Sequence, residues 1–308
     1  MHVAILGAGG AGGYFGALLA RAGQRVSFLA RGEHLRAIRE QGLRIRSVHG
    51  DFELEAEATD DPAEVGQVDF VLLTVKAYQI EAALERMGPL VGPDTMILTL
   101  QNGVEAPWQV AEAFGAGAVL GGAAWIISSI AEPGVIRQES QFRRIVFGEL
   151  DGTVSERANA LQDTLASAQI TAEVSPKIVE LLWTKMLFFA SFAGIGSLAR
   201  ASAEPIWSCP PARSLLEQAM AEVERVARAK GIELAPDAVG DGMRFAEQLA
   251  PDTTSSLYRD VVAGRPLECD ALSGAVVRAG REVGIATPIH ESIWSCLMVV
   301  DQRARAER

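Results

Sequence analysis

The stretch Gly7-Ala8-Gly9-Gly10-Ala11-Gly12 constrains the fold more than any other feature of this chain. It directly follows the apolar run His2–Leu6 and opens a helical stretch reaching to about residue 22. The glycines at 7, 9 and 12 fit a G-x-G-x-x-G pattern, and a strand before it with a helix after it is the context that pattern requires. Gly7 permits a tight turn, Gly9 lets the backbone approach a pyrophosphate, and Gly12 lets the helix pack closely on its strand. Ala8, Gly10 and Ala11 complete the cradle, and the helix N-terminus adds N–H donors and a partial positive charge. The competing reading is a plain flexible glycine turn.

Strand-like and helix-like segments alternate from there. Residues 24–29, 70–75, 96–100 and 119–121 read as further strands, with helical patterns over 79–87 and 108–114. Such alternation predicts βαβ units in an α/β fold: a Rossmann-type, doubly wound, mostly parallel sheet covered on both faces. Residues 134–138 and 144–147 read as antiparallel strands at its edge. From about Val174 only helical periodicity remains. Residues 214–230 carry Leu215, Leu216, Ala219, Met220, Val223, Val226 and Ala227 on one face, with Gly231 placed to end the helix. Residues 267–283 form a second such helix, stopped by Gly284-Ile-Ala-Thr-Pro288. The chain is therefore expected to divide into a nucleotide-binding domain, 1–174, and an all-helical substrate and catalytic domain, 175–308.

Composition removes several functions. The 308 residues are 49% hydrophobic and 22% charged, enough for packed cores and unlike a disordered chain. With 28 Lys and Arg against 39 Asp and Glu, the net charge of −11 speaks against nucleic acid, whose phosphates need a basic surface. Cys209, Cys269 and Cys296 form no C-x-x-C pair and the four histidines show no ligand spacing, so no metal site is expected. Scattered thiols and an N-terminus without a basic segment point to a cytoplasmic protein. Residues 181–199 are long and apolar enough to be read as a membrane span, but a buried helix joining two domains is preferred. Its one charge, Lys185, must find a polar partner there, because an unpaired buried ammonium is costly.

The end of the second strand selects the dinucleotide. An NAD site would place Asp or Glu about twenty residues on. This chain has Arg31, nineteen residues past Gly12, which offers a planar fork to a 2′-phosphate and indicates NADP; Glu33 is the competing acid. In such sheets ligands sit beyond the carboxyl ends of the strands. Lys76 follows one such end, and Gln101-Asn102-Gly103 follows another.

In order along the chain stand Gly7 to Gly12, Arg31, Val75-Lys76-Ala77, Gln101-Asn102-Gly103 and Trp183-Thr184-Lys185. Thr254-Ser255-Ser256, Glu268-Cys269-Asp270 and the closing Gly284-Ile-Ala-Thr-Pro288 follow them. This ordered set resembles the ketopantoate reductases (2-dehydropantoate 2-reductases). The resemblance implies NADPH-dependent reduction of a small 2-keto acid on the way to pantoate and pantothenate. It implies Lys185 as proton donor, Glu268 as an acid beside nicotinamide and lysine, Asn102 where cofactor and substrate meet, and Ser256 on the substrate. Many members carry asparagines four and eight residues after the lysine. Here those substrate-facing positions are Phe189 and Ala193, which favours a more apolar carbonyl or alcohol substrate as the alternative. A non-catalytic NADP-binding regulator is the lesser alternative. Trp207, Trp294 and the apolar C-terminal helix are read as core, with a homodimer surface as the other reading.

Overall fold

A computed structural model describes residues 1–307. Among these, the first compact unit comprises Met1–Gln101 and Ala106–Ile178. Its strands are β1 (His2–Leu6), β2 (Arg25–Leu29), β3 (Leu43–Ser47), β4 (Phe52–Leu54), β5 (Glu57–Thr59) and β6 (Phe70–Leu73). They continue with β7 (Met96–Thr99), β8 (Val119–Trp125), β9 (Ser128–Glu132), β10 (Val135–Gln138), β11 (Arg144–Glu149) and β12 (Thr171–Val174). Helices α1 (Gly10–Arg21), α2 (Gly32–Gln41), α3 (Pro62–Val65), α4 (Ile80–Leu84), α5 (Ala106–Phe114) and α6 (Glu156–Ser167) lie between them.

The main sheet runs β12-β11-β8-β7-β6-β1-β2-β5. Every neighbouring pair is parallel except β8 with β11. Because side chains alternate across a strand, its central strands feed two cores. Val3, Ile5, Phe28 and Leu72 pack with Phe15, Leu18 and Leu19 of α1 on one face. Ala4, Leu6, Val71, Leu73 and Ile97 pack with Ala83, Met87 and Val110 on the other. The consecutive apolar residues 3–6 of β1, 70–73 of β6 and 96–98 of β7 are thus the mark of a sheet covered twice. The strand order reverses between β1 and β6, which makes that point the ligand-binding crevice of such a sheet.

Two details differ from the sequence reading. Val135–Gln138 is not at the edge of the main sheet. It joins a second sheet, β4-β3-β10-β9, parallel to β3 and antiparallel to β9. Arg144–Glu149 is antiparallel to β8, but β12 covers its outer side. The second sheet lies over α1, where a Cβ at Gly10 would stand 2.6 Å from the Ser128 carbonyl oxygen and one at Gly13 2.8 Å from Ile136.

The second unit comprises Val179–Arg308 together with Asn102–Glu105. Its helices are α7 (Ile178–Ala199), α8 (Ala203–Ser208), α9 (Pro210–Ala229), α10 (Ala238–Glu247), α11 (Ser256–Val262), α12 (Ala275–Val283) and α13 (Pro288–Ala306). The units divide after Ile178, not after 174. β12 ends at Val174, a turn intervenes, and the helical chain starts with α7. α7 passes the length and hydropathy test for a membrane span, yet 61% of its most apolar window is buried within the protein. α9 packs against α8, α10, α12 and α13 through the predicted face, except that Leu215 is 40% exposed. The predicted helix over 267–283 begins later, with a π-helical turn at Asp270–Gly274 that runs into α12. Leu267 lies outside it, and its N–H donates to Oδ1 of Asp301 at 2.7 Å.

Candidate active site

In the first unit the glycine turn is held from several sides. Gly7 has φ +106°, and a Cβ on it would lie 2.7 Å from the Val75 backbone nitrogen, so only glycine fits. The Thr74 hydroxyl donates to the Gly7 carbonyl at 2.9 Å. Gly12 is packed so that its Cβ would stand 2.2 Å from that same hydroxyl oxygen, whereas nothing lies within 4 Å of a Cβ at Gly9. No side chain caps the N-terminus of α1. Open backbone at Gly9, a close turn at Gly7 and an uncapped helix start make a cradle that fits a dinucleotide pyrophosphate. Ala8 is held by its carbonyl: His34 Nε2 lies 2.8 Å from it, while His34 Nδ1 accepts the Gly134 N–H at 3.0 Å. Burial lowers the His34 pKa, so the ring is neutral, donating through Nε2.

Arg31 is the N-cap residue of α2, exposed, with no ion-pair partner among the described residues. Glu33, the acid that could have answered ribose hydroxyls, is paired with Arg36 at 2.8 Å. Lys76 is partly exposed beyond β6. Gln101 is buried, and its amide nitrogen donates to the carbonyls of Leu73 at 2.9 Å and Val75 at 3.2 Å, tying together the ends of β6 and β7. Thr74 and His34 were not singled out from sequence, and Gln101 was named only as part of the strand-end group Gln101-Asn102-Gly103; a β-branched hydroxyl at a strand end is the only signal Thr74 carried.

In the second unit Lys185 lies on α7, and its Nζ donates to Oδ1 of Asn102 at 3.4 Å. Lys185 is partly buried, and this desolvation lowers its pKa to about 8, while the buried carboxylate of Glu268 pulls it upward. The Phe189 ring centroid stands 6.0 Å from Nζ, one helical turn along. Phe188, its neighbour, turns away to stack on Phe192 and meet Phe245 edge-on. The structure thus brings Lys185, Asn102, Glu268 and Phe189 together. Ala193 is fully buried and presents no atom to a ligand. Ser256 opens α11, partly exposed; Ser255 makes the cap by accepting from the Tyr258 N–H at 3.0 Å, and no hydrogen bond among the described residues joins Ser256 to the lysine group. Among the described residues no cluster of His, Cys, Asp and Glu has metal-ligating geometry.

An ammonium with a lowered pKa, steadied by an amide oxygen and a carboxylate, suits stabilisation and protonation of an oxyanion. Comparison with known proteins places the whole chain beside one family. Residues 3–152 match the family model for ketopantoate reductase PanE/ApbA, and residues 177–301 match the one for its C-terminal region. The chain is similar to 2-dehydropantoate 2-reductase of Mesorhizobium japonicum, with 33% identity over 95% of each chain. It is 30% identical to the uncharacterized oxidoreductase YkpB of Bacillus subtilis over 98% of this chain and 99% of that one. The crystal structure of 2-dehydropantoate 2-reductase from Geobacter metallireducens superposes with a TM-score of 0.90, 31% identity, and coverage of 99% and 100%.

Proposed function

The chain belongs to the ketopantoate reductase family, NADPH-dependent oxidoreductases that act on a keto group, and we propose that it reduces a 2-keto acid with Lys185 as general acid. The observation that carries this reading is the lowered-pKa ammonium of Lys185 between Asn102 and Glu268. NADPH, when bound, would contribute the hydride that reduces the carbonyl carbon. Lys185 then does the protein's share: its ammonium stabilises the charge growing on the carbonyl oxygen and transfers a proton to it, leaving an alcohol. Asn102 holds the ammonium through Oδ1 and keeps its amide N–H groups for the substrate carboxylate. Glu268 keeps the lysine protonated against its desolvation. Ser256 supplies a further hydroxyl. Gly7 to Gly12 would hold the pyrophosphate and Arg31 the 2′-phosphate, with Lys76 at the strand end beyond β6. The three cysteines are free thiols, in keeping with a cytoplasmic enzyme.

Phe189 favours a particular substrate within this class. 2-Dehydropantoate carries a hydroxyl in its tail, and a benzyl wall would leave such a group unpaired at about 1–3 kcal/mol. An apolar tail gains roughly 25 cal/mol per Å² buried on the same wall. The enzyme is therefore read as preferring a 2-keto acid with an aliphatic or aromatic tail. Rates of NADPH oxidation with 2-dehydropantoate beside such acids test this. The expected kcat/KM ratio favours the apolar acids by about 5- to 150-fold, and Phe189→Asn narrows it. A wild-type preference for 2-dehydropantoate over every competitor refutes the substrate reading.

Arg31→Ala tests the cofactor reading. Losing a charge-assisted contact to the 2′-phosphate costs about 1.5–3 kcal/mol, or roughly 10- to 150-fold in affinity. Titration should show that loss for NADPH and almost none for NADH. Equal losses for both would remove Arg31 from the phosphate site.

A further inference from the structure

The two groups that act on Lys185 sit on chain outside any helix or strand. Asn102 belongs to the short segment Asn102–Glu105, and Glu268 precedes the π-helical turn Asp270–Gly274 in an irregular stretch. One guanidinium joins both. Arg278 on α12 donates from Nε to Oε1 of Glu105 at 3.0 Å and from Nη2 to Oε2 at 2.8 Å. The same side chain donates from Nη1 to Oδ1 of Asp270 at 3.0 Å and from Nη2 to the Asp270 carbonyl at 2.9 Å. Side chains on a helix lean toward its N-terminus, which lets Arg278 reach back along α12 to the π turn. Trp294 on α13 donates to the same Asp270 oxygen at 3.1 Å. The backbones also touch: Gly103 has φ +105°, and a Cβ there would lie 2.6 Å from the Ala271 carbonyl oxygen.

Stability alone does not account for the arrangement. Arg278 and Glu105 are both more than a third exposed, so solvent screens the fork and it stabilises less than a buried pair would, even with its bidentate geometry and its second carboxylate. α12 is already held by buried Val276, Val277, Ala279 and Gly280. What a fork with defined directions adds is geometry. We propose that Arg278 is a positioning residue for the proton donor: through Glu105 it sets Asn102, and through Asp270 it sets the chain that carries Glu268, so that both address Lys185. This rests on the reading of Lys185 as general acid.

The test uses the full-length protein and the variants Arg278→Met, Arg278→Lys and Glu105→Gln, with Lys185→Ala as reference. Two quantities are read: kcat and KM for NADPH-dependent reduction of 2-dehydropantoate and phenylglyoxylate, and the pKa of Lys185. The second comes from competitive acetylation with acetic anhydride at a series of pH values, read by mass spectrometry, and needs no turnover. Glu268, the Glu105–Arg278–Asp270 cluster and bulk water are the groups whose changes this titration reports. In Arg278→Met the segment carrying Asn102 loosens and water reaches the ammonium. The Lys185 pKa should then rise from about 8 by about one unit toward its ordinary value, since burial is what lowers it. kcat should fall roughly tenfold or more, with NADPH affinity within about twofold, because misplacing a catalytic group by about 1 Å is enough for such losses. Arg278→Lys keeps the charge but not the fork and should fail to restore the wild-type values; Glu105→Gln should shift both quantities the same way. An Arg278→Met protein whose Lys185 titrates as in wild type and whose kcat is unchanged overturns the proposal. If that variant does not fold, the same two readings on Arg278→Lys and Glu105→Gln decide. Retained activity in Lys185→Ala would instead overturn the general-acid reading, which separates the two failures.

Discussion

Lys185→Ala should lower kcat by about 10²–10⁴, the usual loss on removing a general acid, while NADPH still binds. The pH dependence has a defined sign. The ammonium is the active form and its pKa is about 8, so kcat/KM for keto reduction should be level below that pH and fall about tenfold per unit above it. Stability runs the other way. An unfolded lysine titrates near 10.4, so between about 8 and that value the unfolded chain binds more protons than the native one. Native stability therefore rises with pH across this window, and below it the fold carries the full penalty of a desolvated charge. Lys185→Met, which fills the space without the charge, should hold or raise Tm at pH 7 while abolishing turnover. A lower Tm at pH 7 would mark the lysine as a structural group, and persistent turnover would transfer the proton-donating role elsewhere.

That same penalty is why Lys185 was visible in the sequence at all: a lone charge within a nineteen-residue apolar stretch has to be answered by something. The glycine fingerprint and the consecutive apolar residues within β1, β6 and β7 were legible for a similar reason, since each is a local pattern with a single structural use. The second sheet was missed although its signal was local too. Leu43-Arg-Ile-Arg-Ser alternates as a strand should, and Gly50-Asp51 follows as a turn. Its apolar face, with Leu43 and Ile45 buried, belongs to the core around α1, and the strands are too short to stand out among charged neighbours. The π turn was invisible because its apolar residues still recur at helical spacing. What sets it apart is the Gly274 N–H reaching the Cys269 carbonyl at 3.1 Å, five residues back, and an N–H at Leu267 claimed by an aspartate far along the chain. Glu105 and Arg278 lie 173 residues apart, and no local pattern joins them. The candidate site residues could thus be named from sequence, while the side chains that pair with the segments carrying them depend on tertiary contacts.

The glycine turn separates these two kinds of information experimentally, because Gly9 and Gly12 look alike in sequence and not in structure. A Cβ at Gly12 would stand 2.2 Å from the Thr74 hydroxyl, 2.3 Å from the Gly7 carbonyl oxygen and 3.0 Å from Ile5. α1 would have to lift from β1, and overpacking of that kind costs about 1–3 kcal/mol, outweighing the roughly 1 kcal/mol that alanine gains over glycine in a helix. Gly12→Ala should therefore lower Tm by several degrees, about 2–4 °C per kcal/mol for a chain of this size, and should weaken NADPH along with it. Gly9→Ala meets no protein atom within 4 Å and should leave Tm unchanged. Its methyl group would stand where the pyrophosphate is proposed to approach the backbone, so NADPH affinity should fall by about 5- to 150-fold with the fold intact. Calorimetry without cofactor and titration with NADPH read the two effects separately. If Gly9→Ala binds NADPH as the wild type does, the phosphates do not lie over residue 9; if Gly12→Ala melts as the wild type does, the close packing of α1 on β1 is not what that glycine serves.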